Sequence, residues 1–165
     1  MPPEGYTARY RNNVSPRSVW TGSFCPSQST DGTNKAGSST KTYTAEVFVP
    51  APMRITGIAL FNGAAVTGNV QAFLSDVNGT VVASSASTAQ SGTDALQALA
   101  LSTAYDAQPG TYYVSIQTSG AGEFNTLIIG TCGTSETTGT TYGTLTSITP
   151  PTTFTTGLGP IASLY

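Results

Sequence analysis

The chain contains no histidine, and its six Lys and Arg residues (Arg9, Arg11, Arg17, Lys35, Lys41 and Arg54) all lie in the first third. From Ile55 to Tyr165 there are five acids, Asp76, Asp94, Asp106, Glu123 and Glu136, and no base. Covalent and acid–base catalysis need a base beside a nucleophile or proton donor. Without histidine no Ser-His-Asp or Cys-His arrangement can form, and a Ser-Lys pair would have to borrow its lysine from the N-terminal third. Paired carboxylates would suit glycoside hydrolysis, but the five C-terminal acids fall at or beside expected turns, an ordinary place for Asp and Glu. Cys25 and Cys132, with no histidine, make no zinc site. Asp76-Val77-Asn78-Gly79 is similar to the start of a calcium loop, yet the twelfth position is Ser87, where a bidentate Glu is required. A hairpin turn accounts for these residues better. The expectation is a protein that is not an enzyme and uses no cofactor.

Binding chemistry is fainter but present. Arg9, Tyr10, Arg11, Arg17 and Trp20 combine positive charge with aromatic surface in a segment that reads as an extended arm. Such an arm docks either on its own domain or on a neighbouring subunit. Tyr105, Tyr113 and Tyr142 are candidates for stacking on sugar faces, against the alternative that they are partly buried at sheet edges or subunit contacts. A net charge of −2 and a pI near 4.8 argue against nucleic acid, which needs Lys and Arg to neutralise phosphate. No apolar run approaches the ~20 residues that cross a bilayer. The opening Met1-Pro2-Pro3-Glu4-Gly5 has neither a charged n-region nor an apolar h-region. The expected origin is therefore a cytoplasm, where Cys25 and Cys132 stay reduced and buried.

The elements that must position these residues are strands. Charged residues are 8% of the chain, against roughly 25% in an ordinary domain, and Thr, which is β-branched, carries much of the polar surface. Eighteen Gly and ten Pro interrupt the chain too often for long helices. Residues 1–42 are expected to form a docking arm and loop, with 27–40 lacking apolar periodicity. Residues 43–165 are expected to form one β-sandwich. Strands are expected over 43–49, 55–61 (buried on both faces), 70–75, 80–84, 95–101, 111–118 and 124–129. Asn78-Gly79 turns the 70–84 hairpin, and Pro109-Gly110 sits in a turn spanning 106–110. In the 111–118 strand, Tyr112, Val114 and Ile116 take one face and Tyr113, Ser115 and Gln117 the other. The Thr/Gly-rich stretch 130–156 reads as loop or irregular strand. The apolar C-terminus is expected to pack as an edge strand. Seven short strands with turns every 8–12 residues give a two-sheet sandwich.

Two stretches carry a resemblance to known proteins. Gly68-Asn69-Val70-Gln71-Ala72-Phe73-Leu74-Ser75-Asp76-Val77-Asn78-Gly79-Thr80-Val81-Val82-Ala83-Ser84, followed by Pro109-Gly110-Thr111-Tyr112-Tyr113-Val114-Ser115-Ile116, looks like a jelly-roll-type sandwich of appended bacterial and phage domains. Ile148-Thr149-Pro150-Pro151-Thr152-Thr153-Phe154-Thr155 and Gly159-Pro160-Ile161-Ala162-Ser163-Leu164-Tyr165 resemble the C-termini of small structural proteins of tailed phages. The resemblance covers roughly residues 43–165 and implies a virion protein made in the host bacterial cytoplasm. Within such virions these proteins serve as capsid decoration (cement) proteins, or as tail- and fibre-associated modules that bind receptors or glycans. The implied partners are the major capsid protein or other virion proteins and further copies of the chain, with a trimer expected. The resemblance carries no catalytic residue. A charge-poor, Thr-rich surface suits contacts that bury no unpaired charge, which would cost several kcal/mol each.

Overall fold

Alternation of apolar and polar residues at period two, broken every few residues by Gly or Pro, gives strands and no helix among the described residues. A computed structural model describes residues 19–22, 32–128 and 130–165. Twelve strands run in chain order: β1 (Val19–Trp20), β2 (Gly32–Ala36), β3 (Lys41–Val49), β4 (Met53–Phe61), β5 (Asn69–Ser75), β6 (Val81–Ser84), β7 (Thr88–Ala89), β8 (Leu96–Ala107), β9 (Gly110–Thr118), β10 (Glu123–Leu127), β11 (Thr134–Thr138) and β12 (Ala162–Leu164). Every ladder between them is antiparallel. Among the described residues no helix is long and apolar enough to cross a membrane.

The strands form a four-stranded sheet, β1-β12-β4-β8, and a six-stranded sheet, β11-β3-β9-β5-β6 with β7 also on β5. A two-stranded ribbon pairs β10 with β2. Between the two large sheets lies an apolar core. The six-stranded sheet contributes Val47, Val70, Leu74, Val114 and Ile116, and the four-stranded sheet Ile58, Leu60, Leu99 and Leu164. All but Leu99 are wholly buried, and Leu99 is 1% exposed. Each such side chain contributes on the order of 1.5–3 kcal/mol by leaving water. Pairing is nested: β3 with β9, β4 with β8, β5 with β6. Buried amides cap the core at one end. Asn62 Nδ2 donates to Gln97 Oε1 at 3.0 Å, Gln90 Nε2 donates to Asn62 Oδ1 at 2.9 Å, and Asn125 Nδ2 donates to the Asn62 carbonyl at 3.0 Å.

Both long sides of the sandwich are stitched. On one, Ser85 bridges to Leu101 and joins the two sheets. On the other, the chain around β1 belongs to both sheets at once. Val19 and Trp20 pair with Leu164 and Ser163, while Thr21 bridges to Val47 and Gly22 N donates to the Glu46 carbonyl at 3.0 Å. Thr21 is wholly buried. Its hydroxyl donates to the Pro160 carbonyl at 2.8 Å and accepts from Ala162 N at 3.0 Å.

Several expectations are corrected. Residues 32–36, read as loop, form β2, because β10 supplies the ladder that their sequence alone does not call for. The C-terminal strand β12 is not at an edge but sits between β1 and β4. β4 is not buried on both faces, since Ala59 and Phe61 are half-buried and Thr56 is exposed. Strand continues in β8 to Ala107, so the expected turn at 106–110 shrinks to Gln108-Pro109. Residues 19–22 and 32–42, placed in the arm and loop, are hydrogen-bonded into the sheets.

Candidate functional site

Strand β9 has the expected alternation, yet Tyr112 through Thr118 are buried on both faces. The inner face meets the core. The outer face carries Tyr113, Ser115 and Gln117, flanked by Thr42, Thr44 and Glu46 of β3 and by Gln71, Phe73 and Ser75 of β5. What buries them is the Thr/Gly/Pro stretch after β11. Thr140 N donates to the Thr40 carbonyl at 3.1 Å, Gly143 N to Gln117 Oε1 at 2.8 Å, Ile148 N to the Gly79 carbonyl at 2.8 Å, and Thr155 N to Thr134 Oγ1 at 2.7 Å. The segment is a strap that leaves the β11 edge, crosses the outer face of the six-stranded sheet and returns to β11.

Two of its close approaches fall at glycines. A Cβ on Gly79 (φ +85°) would stand 2.2 Å from the Ile148 carbonyl oxygen, and one on Gly133 would stand 2.2 Å from that of Pro151. Gly79 sits in a turn that Asp76 builds, its Oδ1 accepting from Asn78 N at 3.0 Å and from Thr80 N at 2.9 Å. That local hydrogen bonding is the turn chemistry of Asp and Gly. It gives Asp76 a structural task in the turn.

Under the strap lies a polar layer. Gln117 Nε2 donates to Thr42 Oγ1 at 2.9 Å, Thr42 Oγ1 donates to Thr140 Oγ1 at 3.0 Å, and the Thr44 and Ser115 hydroxyls are 2.8 Å apart. Buried hydroxyls and amides are stable only when paired in this way. Where the strap lifts, a cleft of about 180 Å³ opens, walled by Thr42, Thr137, Thr140, Leu145, Ser147, Ile148 and Thr149. It holds no charged group and no aromatic ring. Hydroxyls and two aliphatic side chains can hold water or a small neutral ligand.

The charges are engaged structurally. Glu136 binds Lys41 Nζ at 2.6 Å and Lys35 Nζ at 3.0 Å, fixing β11 to β3 and to β2. Burial works against its ionisation, but the two ammonium groups outweigh this and hold its carboxyl below the usual range. Lys35 also lies 5.7 Å from the centre of the Tyr43 ring. Burial, with the Glu136 carboxylate nearby, pushes the Tyr43 phenol up to about 12. Glu46 Oε2 accepts from Gly133 N at 2.8 Å, and Glu123 Oε2 from Ala65 N at 3.1 Å. Arg54 Nη1 lies 3.0 Å from both Asp106 oxygens on the exposed surface. Among the described residues no group of three or more Asp, Glu, Cys or His could hold a metal ion. Cys132 is free and buried, and burial first, then the Glu46 carboxylate, pushes its thiol up to about 11. Such a thiol is no nucleophile at neutral pH. Cys25 lies outside the described residues.

The residues singled out from the sequence do not converge. Tyr113 is 7% exposed on the outer face of β9. Tyr142 is in the strap, its hydroxyl 2.7 Å from that of Ser87. Tyr105 is on the other sheet, edge-on to Tyr112 with ring centres 6.0 Å apart. No shared sugar platform results from these three. Trp20 packs against a small second core of Ala45, Leu127, Cys132 and Ile161, so this aromatic of the arm docks on its own domain. Arg9, Tyr10, Arg11 and Arg17 lie outside the described residues. Sequence reasoning missed Thr42, Gln117, Thr140 and Gly143, which tie the strap down. The available signal was the polar side of the β9 alternation opposite a Thr-rich stretch. No known protein family, curated protein or solved structure matches the chain.

Proposed function

We propose that this chain is a structural protein of a tailed-phage virion, and within the virion a capsid decoration protein that binds the head shell and stabilises it. The observation that carries the reading is the strap. An uncharged Thr/Gly/Pro segment seals one face of the sandwich through hydrogen bonds, and every described base is held in an internal ion pair. The resulting surface offers hydroxyl, amide and apolar contacts. Such a surface can lie against a neighbouring protein without desolvating unpaired charge. The strap includes the Ile148-to-Thr155 ending on which the phage resemblance rests. The nested strand pairing supports a jelly-roll-like winding. Synthesis in the bacterial cytoplasm and assembly onto the major capsid protein complete the reading.

Its test is to add the purified protein to heads of a phage strain that lacks it. Saturable co-sedimentation and a raised temperature of head disruption are expected, and no binding overturns the reading. The alternative, a tail- or fibre-associated glycan-binding module, draws on the hydroxyl-lined cleft alone. A glycan array probed with the intact protein and with Thr140→Val tests it. Binding lost in the variant would favour the module over decoration.

A further inference from the structure

The sequence holds two Asn-Gly steps, Asn62-Gly63 and Asn78-Gly79. An asparagine before glycine is open to attack on its own side chain, because glycine has no Cβ to hinder the approach of its backbone nitrogen. The structure treats the two steps differently. Asn62 is wholly buried. Its Nδ2 donates to the Ser91 carbonyl at 2.6 Å and to Gln97 Oε1 at 3.0 Å, and its Oδ1 accepts from Gln90 Nε2 at 2.9 Å. Asn78 is exposed at the tip of the β5–β6 hairpin, without a positive φ, and its side-chain amide has no hydrogen bond among the described residues. The residues that follow Asn78 are also the ones that hold the strap. Gly79 is buried, and its carbonyl accepts from Ile148 N at 2.8 Å. Thr80 bridges to Ser147, and Val81 N donates to the Thr146 carbonyl at 3.0 Å.

We propose that Asn78 is a site of spontaneous covalent modification, by ring closure onto Gly79 with loss of ammonia, and that the modified turn releases the strap from the hairpin. The Gly79 nitrogen attacks Asn78 Cγ. The N–Cγ bond forms, the Cγ–Nδ2 bond breaks, the Gly79 amide proton passes to solvent and ammonia leaves. Water then opens the cyclic imide. Opening at Cγ gives an aspartate in an unchanged backbone. Opening at the Asn78 backbone carbonyl gives an isoaspartyl link, whose main chain runs through Cβ and is one carbon longer. The first step requires the hydrogen bond from Gly79 N to the Asp76 carbonyl, 2.9 Å, to open. At a hairpin tip that is a local event, whereas Asn62 reacts only when the buried amides at the end of the core come apart. Local opening costs far less than global opening. The extra carbon stands immediately before Gly79, where there is no slack. A Cβ on Gly79 would already meet the Ile148 carbonyl oxygen and Pro150 Cδ. A lengthened turn cannot keep both the β5–β6 register and the Gly79-to-Ile148 hydrogen bond. β6 is tied to β5 by its own ladder, so the strap gives way. The proposal does not depend on the virion reading.

Incubation of the full chain at mildly alkaline pH tests this, with timed samples mapped by mass spectrometry after digestion with a protease other than trypsin. In the native protein Asn78 should convert to aspartate and isoaspartate at least ~10-fold faster than Asn62, because local openings are the more frequent ones. In denaturant the two should convert at similar rates. Isoaspartate at Asn78 should bring faster amide exchange at Ile148 and Val81, with exchange in β9 unchanged. Asn78→Gln, which alters only an exposed side chain, should fold normally and pass through the same incubation without either change. Freshly purified Asn78→Asp carries the product's charge on an unlengthened backbone and should keep the slow exchange at Ile148. Conversion of Asn62 as fast as that of Asn78 in the native protein, or no conversion at Asn78, overturns the proposal. So does isoaspartate at Asn78 with exchange at Ile148 unchanged, or a strap already released in fresh Asn78→Asp.

Discussion

Glu136 does at the scale of one residue what the whole charge distribution does at large: it spends the available lysines on internal contacts. Its carboxyl is held below the unfolded value, so it contributes stability that is present above the unfolded pKa and lost as pH falls through the folded one. Glu136→Gln should lower stability by about 1 kcal/mol near neutral pH, as expected for a partly buried pair, and flatten the acid limb of stability against pH below about 4. Urea titrations at several pH values read both effects. Tyr43 and Cys132 act in the opposite window. Their folded pKa values are raised to about 12 and about 11 from ordinary values of 10.0 and 9.0. Their stabilisation is therefore complete below pH 9 and declines as pH rises toward 12. Cys132 should resist a thiol reagent at pH 8 in the native protein and react at once in denaturant, which peptide-level mass spectrometry resolves from Cys25. Gln117→Ala leaves Gly143 N without its acceptor under the strap and takes one donor from Thr42 Oγ1, which keeps Thr140, and should cost about 2 kcal/mol, measured by thermal unfolding.

At the scale of elements, the strap and the β1 stitch separate what the sequence revealed from what it did not. The hairpin of β5 and β6 was legible because Asp76, Asn78 and Gly79 encode their own turn locally. β9 was legible because its alternation is clean. The strap was not, since its Thr and Gly have no period. Its order comes from partners far along the chain, such as Gln117 for Gly143 and Gly79 for Ile148. β1 and β2 were hidden for the same reason, each being two to five residues long and stable only against β12 and β10. Of the candidate site, the absence of histidine and of any base after Arg54 was legible from composition. The tyrosine platform was not predictable, because a sequence fixes the face of a strand but not what later covers it. Removal of residues 1–42 therefore takes away β1, β2 and the first residues of β3, and should abolish cooperative unfolding. Gly79→Ala, strained at positive φ and against the Ile148 carbonyl, should release the strap locally. Faster amide exchange at Gly143 and Ile148 is the readout, with exchange in β4 and β9 unchanged.

At the scale of the molecule, the sandwich is stitched on both sides and strapped on one face, and charged residues are only 8% of the chain. On the decoration reading proposed above, such a surface suits a protein that stands in an assembly. Repetition on a symmetric shell would multiply weak contacts into firm attachment. The direct measurement of that proposal is copy number per virion by quantitative mass spectrometry of particles from the phage the reading assigns it to, digested with a protease other than trypsin because no Lys or Arg follows Arg54. Decoration of a symmetric head predicts on the order of hundreds of copies per particle. Absence from purified virions, or only about a dozen copies as on a six- or twelve-fold tail ring, would contradict it.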